Sequence, residues 1–227
     1  RLEVRLKFQR LSWKLVLRVM RLGFSPFVII ATDSVLTIVL NSVLQKTGGV
    51  QGDIYVAAAT IVVSYMQLIL MPMGGLTMAC QPVVSYNYGA RNGARVKAAV
   101  RDTIIVMFCF TVTMAAASQF LPQYFVRIFT ENPEVTAVAV KGMRVYTAGI
   151  VVLSMQYVGV DMLVALGKIG AATVLSLFRK ILTITLTAVL PLFLGSFSAF
   201  YGEPIIDVAS GVAATILFFI VLKRTLH

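Results

Sequence analysis

Residues 54–90 read IYVAAATIVVSYMQLILMPMGGLTMACQPVVSYNYGA, and none of these positions carries a charged side chain. A helix needs about 20 mostly apolar residues to cross the hydrocarbon core of a bilayer. The stretch therefore predicts a membrane-spanning helix that runs past the bilayer or tilts strongly. The whole chain shares this character, because 59% of its 227 residues are hydrophobic and only 13% are charged. A bilayer is therefore the predicted solvent.

Further charge-poor stretches lie on both sides of this run. Together they predict an all-α polytopic membrane protein, a bundle of six transmembrane helices. The predicted spans cover about residues 22–45, 54–82, 99–122, 136–166, 171–195 and 204–222. A transmembrane β-barrel would instead show alternating segments of about ten residues. The predicted organisation is a linker over residues 1–21 and a six-helix lobe over residues 22–227.

The linker is predicted to be an amphipathic helix. Its charged residues recur in steps of three or four from Glu3 to Arg21, which places them on one face of a helix. Such a stripe suits a helix on the cytoplasmic membrane surface, with its cations toward anionic headgroups. A solvated linker helix is the alternative, and the alternation in RLEVRLKF also fits a strand.

The distribution of cations predicts the orientation. The net charge of +11 could by itself indicate a nucleic-acid partner. However, sixteen of the twenty Lys and Arg residues lie in four segments, residues 1–21, 89–101, 168–180 and 223–227. Apolar spans separate these segments from one another. This alternation follows the positive-inside rule and places both termini in the cytoplasm. We expect no nucleic-acid partner.

No arrangement of residues typical of an enzyme or a metal site is present. The single histidine is His227, and Cys80 and Cys109 lie in apolar runs without paired spacing. There is no phosphate-binding glycine loop and no nucleophile motif. The sequence predicts a protein that is not an enzyme and binds no metal cofactor. Because the chain begins at Arg1, we expect it to be a fragment of a longer protein.

Two carboxylates are predicted at membrane depth. Asp33 lies inside the first span and Asp161 lies midway along the fourth. An ionised carboxylate is costly in hydrocarbon, so each should face a cavity or a partner, or be protonated. Such a group can exchange a proton for a cationic substrate. A structural, hydrogen-bonded carboxylate is the alternative for each.

Polar and soft side chains in the same spans are candidates for the wall of a substrate cavity. They are Asn41, Tyr65, Met66, Gln67, Met71, Tyr146, Met155, Gln156 and Tyr157. Methionine and aromatic walls suit flat, varied, lipophilic ligands, and a cation can sit over a tyrosine ring. Ordinary packing is the alternative for each of them.

Three other features have simpler interpretations. Pro72 and Pro82, with two glycines between them, predict kinks in the second span or a bend during transport. Arg179 and Lys180 are expected to snorkel at the inner end of the fifth span. Glu203 and Asp207 are expected on the outer side, at the start of the sixth.

Four motifs resemble the C-terminal half, helices 7–12, of MATE (multidrug and toxic compound extrusion) transporters, in particular the MepA-like branch. GFSP at residues 23–26 is similar to the opening of the seventh helix. The loop after the eighth helix resembles YNYGARNGARVKAAV at 86–100. ALGKIGAATVLSLFRKILTITLTAVLP at 165–191 is similar to the loop after the tenth helix and to the eleventh. YGEPIID at 201–207 resembles the start of the twelfth.

This resemblance implies an antiporter of two six-helix lobes around a central cavity, in the bacterial inner membrane. It implies export of small cationic lipophilic substrates in exchange for H⁺ or Na⁺, with no organic cofactor. Asp33 is similar in position to an acidic residue on the seventh helix of the NorM branch, and Asp161 is comparable with the acid on the tenth. A missing N-terminal lobe or a second copy is the implied partner, beside the lipid bilayer.

Two alternatives remain open at this point. A flippase for lipid-linked compounds or polysaccharides belongs to the same superfamily, but it should line its cavity with cations. A non-transporting membrane scaffold, or an inactive half-gene fragment, would insert in the membrane without moving a substrate.

Overall fold

The computed structural model describes residues 12, 13, 16, 17, 20, 34, 37–46 and 48–225. The chain divides into two compact units, residues 1–39 and residues 40–227. In the first unit, Trp13, Val16, Leu17 and Met20 are helical. Most of the predicted linker and most of the first predicted span lie outside the described residues. The helices and the candidate site described below belong to the second unit.

The second unit is helical throughout, and no strand occurs among its described residues. Residues 40–46 are helical and precede a 3₁₀ turn at Gly49–Gln51. The following helices are α1 (Gly52–Gly89), α2 (Gly93–Phe120), α3 (Pro122–Arg127), α4 (Pro133–Tyr146), α5 (Ile150–Ala165), α6 (Ile169–Leu194) and α7 (Ala199–Thr225). A second 3₁₀ turn, Ser196–Ser198, joins α6 to α7.

Four helices among the described residues are long and apolar enough to cross a membrane. If the bent pair of α4 and α5 counts as one span, the described residues contain five spans. The first predicted span, residues 22–45, falls largely on residues that are not described. The all-α membrane bundle predicted from composition is therefore confirmed in the described part of the chain.

Helix α1 is unusually long. Its 38 residues extend over about 57 Å at 1.5 Å per residue, which exceeds the roughly 40–45 Å of a bilayer with its headgroups. Pro72 and Pro82 lie inside it, and the helix continues through both. The expected kinks therefore do not interrupt the helix.

A tight turn joins α1 to α2. Arg91 has a φ of 56°, in the left-handed region that a non-glycine residue seldom adopts. The side chain of Asn92 then caps α2 by accepting a hydrogen bond from the backbone N–H of Arg95 at 3.1 Å. The turn reverses the chain within three residues, so α2 runs back through the membrane beside α1.

The span predicted at residues 136–166 consists of two helices. Helices α4 and α5 meet at an angle of 51° across residues 147–149. At this break, the hydroxyls of Ser118 and Thr147 are hydrogen-bonded at 2.7 Å, and both side chains are buried. A Cβ placed on Gly149 would lie 2.6 Å from the Cβ of Asp207. The break therefore lets α7 approach closely.

Helix α5 forms the centre of the unit. It packs against α1, α2, α6 and α7. Its contact with α7 uses glycine on both sides, because a Cβ on Gly159 would touch Ala214 and a Cβ on Gly211 would overlap the carbonyl of Val152. Asp161 is thus carried on the most enclosed helix of the bundle.

Candidate functional site

Asp161 connects α5 to α1. The hydroxyl of Thr77 donates a hydrogen bond to its Oδ2, and the Gln81 side chain also hydrogen-bonds the carboxylate. Thr77 is fully buried, and Asp161 is half-buried. No ion pair to Asp161 occurs among the described residues.

This environment defines what Asp161 can do chemically. Two neutral donors hold the carboxylate in place without neutralising its charge. Asp161 lies four residues before Ala165, the last residue of α5, which is about 6 Å along the helix, and not midway along its span as predicted. A half-buried carboxylate without a cationic partner can bind a proton, a metal cation or a cationic ligand. The contact with α1 lies between Pro72 and Pro82, in the part of that helix that lacks some backbone hydrogen bonds.

A second charged cluster links α6 to α7. The guanidinium of Arg179 donates from Nη2 to Glu203 Oε1 at 2.6 Å and from Nη1 to Asp207 Oδ1 at 2.7 Å. A longer contact of 3.4 Å joins Nη1 to the hydroxyl of Ser210. Glu203 and Asp207 are four residues apart on α7, so both side chains lie on the same face of the helix.

The cluster is buried and its charges do not balance. Asp207 is fully buried, and the side chains of Arg179 and Glu203 are 20% and 13% exposed. One guanidinium faces two carboxylates, which leaves one negative charge when all three are ionised. Asp207 Oδ2 has no hydrogen-bond partner among the described residues.

These contacts correct the expected places of Arg179, Glu203 and Asp207. Arg179 lies ten residues after Ile169, the first residue of α6, which is about 15 Å along the helix. Its side chain points to acids that were expected on the opposite side of the membrane, so it does not snorkel to the inner surface. The useful signal in the sequence is the i, i+4 spacing of Glu203 and Asp207, opposite a cation on the preceding helix.

Two tyrosines lie beside these charged groups. Tyr157 is one turn before Asp161 on α5 and lies within electrostatic range of Asp161, Arg179 and both acids of α7. Tyr146, the last residue of α4, lies within range of the Arg179 cluster. The sequence predicted each tyrosine as a separate candidate, whereas the structure places both near the Arg179 cluster.

Other predicted candidates have packing partners. Tyr65 is 5% exposed, and its hydroxyl donates to the carbonyl of Met114 at 2.9 Å. Its ring also packs edge-on against Phe125. Met66 is buried in the core. Gln156 is buried as well, where its Nε2 donates to the carbonyl of Leu175 at 3.4 Å.

The remaining candidates differ in exposure. Gln67 and Met71 are exposed on α1, with Met71 74% accessible. Asn41 and Met155 are half-buried. Asp33 lies outside the described residues. No cluster of three or more His, Cys, Asp or Glu side chains able to hold a metal occurs among the residues that the structure describes.

A family model described as MatE matches residues 27–189, which is more than half of the chain. No curated protein matches the sequence.

Solved structures with the same fold are transporters. One is an inward-facing multidrug resistance MATE family transporter of the MOP superfamily, with a TM-score of 0.81 and 17% identity over 95% of this chain and 50% of that one. An outward-facing one has a TM-score of 0.79 and 18% identity, covering 98% of this chain and 50% of that one. A MOP superfamily transporter from Pyrococcus furiosus has a TM-score of 0.78 and 17% identity, over 95% of this chain and 48% of that one. The chain spans about half the length of these structures.

Proposed function

Since the chain belongs to the MatE family, we propose that it forms the C-terminal lobe of a transporter that exports cationic lipophilic compounds in exchange for H⁺ or Na⁺. Asp161 is the observation that carries this proposal. It is a carboxylate inside the lobe that accepts hydrogen bonds from α1 and has no ion-pair partner among the described residues. In this role Asp161 binds the coupling ion or the cationic substrate, and Asp33 provides a second carboxylate.

The half-length matches support a two-lobe transporter. Relatives of the same fold have been solved in inward-facing and outward-facing conformations, as alternating access between two lobes requires. A missing N-terminal lobe or a second copy supplies the other wall of the cavity. The host membrane is the bacterial inner membrane, and both termini are cytoplasmic.

An exposed face of α1 supports a lipophilic substrate. Gln67, Met71 and Met78 follow one another at helical spacing, and the two methionines are 74% and 66% exposed. Gly74 and Gly75 lie between them, and a Cβ on either would meet no described atom within 4 Å. Flexible methionines beside open space suit ligands of varied shape. This face is the proposed substrate-facing wall of the lobe.

Ethidium accumulation in cells tests the proposed role of the carboxylates. In the full-length transporter, Asp33→Asn and Asp161→Asn should each abolish export while membrane insertion stays normal. Asp53→Asn is the matched control, because Asp53 is an exposed acid near the start of α1. Normal export by the Asp161→Asn variant would refute the role of Asp161.

A flippase of the same superfamily is the second candidate. For the Pyrococcus furiosus transporter, the reverse polarity of the binding pocket suggests a different function. A flippase for phosphate-bearing lipids needs free cations in its cavity. Arg179 lies at membrane depth, but Glu203 and Asp207 already bind its guanidinium. Drug export therefore fits these charges better.

A non-transporting scaffold is the third candidate, and the half-length match is its best support. The upstream reading frame distinguishes it from a transporter. Six more spans upstream with the same hydropathy pattern would support a complete transporter, and their absence would favour the scaffold.

A further inference from the structure

A groove lies between α2 and α7, away from Asp161 and the Arg179 cluster. It is an open groove with a volume of about 430 Å³, near the first residue of α2 and the last residue of α7. Successive membrane-spanning helices run in opposite directions. The start of α2 and the end of α7 therefore lie on the same membrane side as the turns at 90–92 and 166–168. This is the side predicted to be cytoplasmic.

Three cations line the rim of this groove: Lys97, Arg101 and Lys223. Lys97 and Arg101 are four residues apart on α2, so they lie on one face of that helix. All three are exposed. Arg101 forms an ion pair of 2.9 Å with Asp102, whose side chain is 62% exposed. No ion pair to Lys97 or Lys223 occurs in the part of the chain that the structure describes.

Apolar side chains form the rest of the wall, and they lie deeper than the cations. Ile104 and Ile105 follow Arg101 along α2, and Phe219 lies one turn before Lys223 on α7. Ile105 and Phe219 are 52% and 49% exposed. From Lys97 to Ile105 the helix advances about 12 Å. The groove thus passes from a cationic rim to an apolar wall along the membrane normal.

We propose that this groove binds one anionic phospholipid from the cytoplasmic leaflet. The phosphate lies between Lys97, Arg101 and Lys223, and an acyl chain lies against Ile105 and Phe219. Basic pockets between transmembrane helices on the cytoplasmic side suit anionic headgroups. A zwitterionic lipid has no net charge to offset the cations of the rim. The rim would then stay positive, because Asp102 offsets only one of the three cations.

Charge complementarity favours a lipid over a protein segment. A helix docked in the groove would need acidic residues to meet Lys97 and Lys223. The predicted linker at residues 1–21 cannot supply them, because it carries seven cations and one acid.

Native mass spectrometry of the full-length protein tests this site. The protein is released from micelles that contain either phosphatidylglycerol or phosphatidylcholine with the same acyl chains. We expect retention of one phosphatidylglycerol molecule in preference to phosphatidylcholine. Removing two lysines should weaken that preference about tenfold or more, given the contribution of each cation near anionic headgroups. Equal retention of both lipids by the natural protein would overturn the proposal.

Matched variants locate the site. Lys97→Gln with Lys223→Gln removes two cations from the groove, whereas Arg95→Gln with Lys168→Gln removes two cations from the same membrane side outside it. Only the first pair should lose the preference. Equal losses in both pairs would show general attraction to the surface and contradict a specific site.

Further variants keep the test valid if the first pair folds poorly. Lys97→Arg with Lys223→Arg should preserve the lipid preference. Ile105→Trp should fill the groove and reduce retention without changing charge, since Ile105 is half-exposed. Full retention in Ile105→Trp, or displacement of the lipid by glycerol phosphate alone, would contradict binding of the acyl chain.

Discussion

At the scale of single residues, the buried charges show what sequence reading can and cannot find. Asp161 is visible because a carboxylate in an apolar run is rare. Its partner Thr77 is 84 positions away, and no local pattern indicates that contact. The position expected for Arg179 was wrong because two adjacent cations, Arg179 and Lys180, are typical of the end of a span. The partners of Arg179 instead lie on the following helix, α7.

Loss of Arg179 should destabilise the protein strongly. Arg179→Leu leaves Glu203 and the fully buried Asp207 without a cation, and breaking a buried pair typically costs about 3–5 kcal/mol. Thermal unfolding in detergent micelles measures this effect. The control is Arg95→Leu, because Arg95 is exposed and has no ion pair in the described part of the chain.

A triple variant separates charge from packing in the Arg179 cluster. Arg179→Leu combined with Glu203→Gln and Asp207→Asn removes all three charges together. It should recover most of the lost stability, because replacing a complete buried ion-pair network is often nearly neutral. A triple variant as unstable as Arg179→Leu would show that packing, and not charge, explains the loss.

At the scale of the helices, the position of the break was the least predictable feature. Two prolines predict kinks in α1, and that helix continues through both of them. The observed break lies at residues 147–149, inside an apolar stretch without proline. At this break Gly149 lies close to Asp207 on α7, a tertiary contact that periodicity does not reveal.

Gly211→Ala should weaken the contact between α5 and α7. Its Cβ would overlap the carbonyl oxygen of Val152, and overpacking of a close contact typically costs about 1–3 kcal/mol. Gly74→Ala is the matched control, because open space surrounds that position on α1. Similar melting temperatures for the two variants in micelles would refute this account of the helix contact.

At the scale of the whole molecule, hydropathy and charge predicted most of the architecture. Apolar length alone is enough to identify membrane helices. One end of the bundle carries six basic residues, at positions 91, 95, 97, 168, 223 and 224. The opposite end has acids at Asp53, Glu131 and Glu134. The relocation of Arg179 therefore leaves the predicted orientation unchanged.

Cysteine labelling tests that orientation. In a background with Cys80→Ser and Cys109→Ser, Ala94→Cys should react with a membrane-impermeant maleimide only after cells are permeabilised. Glu131→Cys should react in intact cells, because the positive-inside rule places its end outside. Both residues are exposed. Labelling of Ala94→Cys alone in intact cells would reverse the proposed topology.

The proposed role of Asp161 in cation-coupled export is tested most directly by ethidium efflux from vesicles that contain the full-length transporter. Proton and Na⁺ gradients are imposed separately, and the natural protein is compared with its Asp161→Asn variant. We predict efflux driven by one of the two gradients in the natural protein and none in the variant. Gradient-driven efflux of equal rate in both proteins would contradict the role assigned to Asp161.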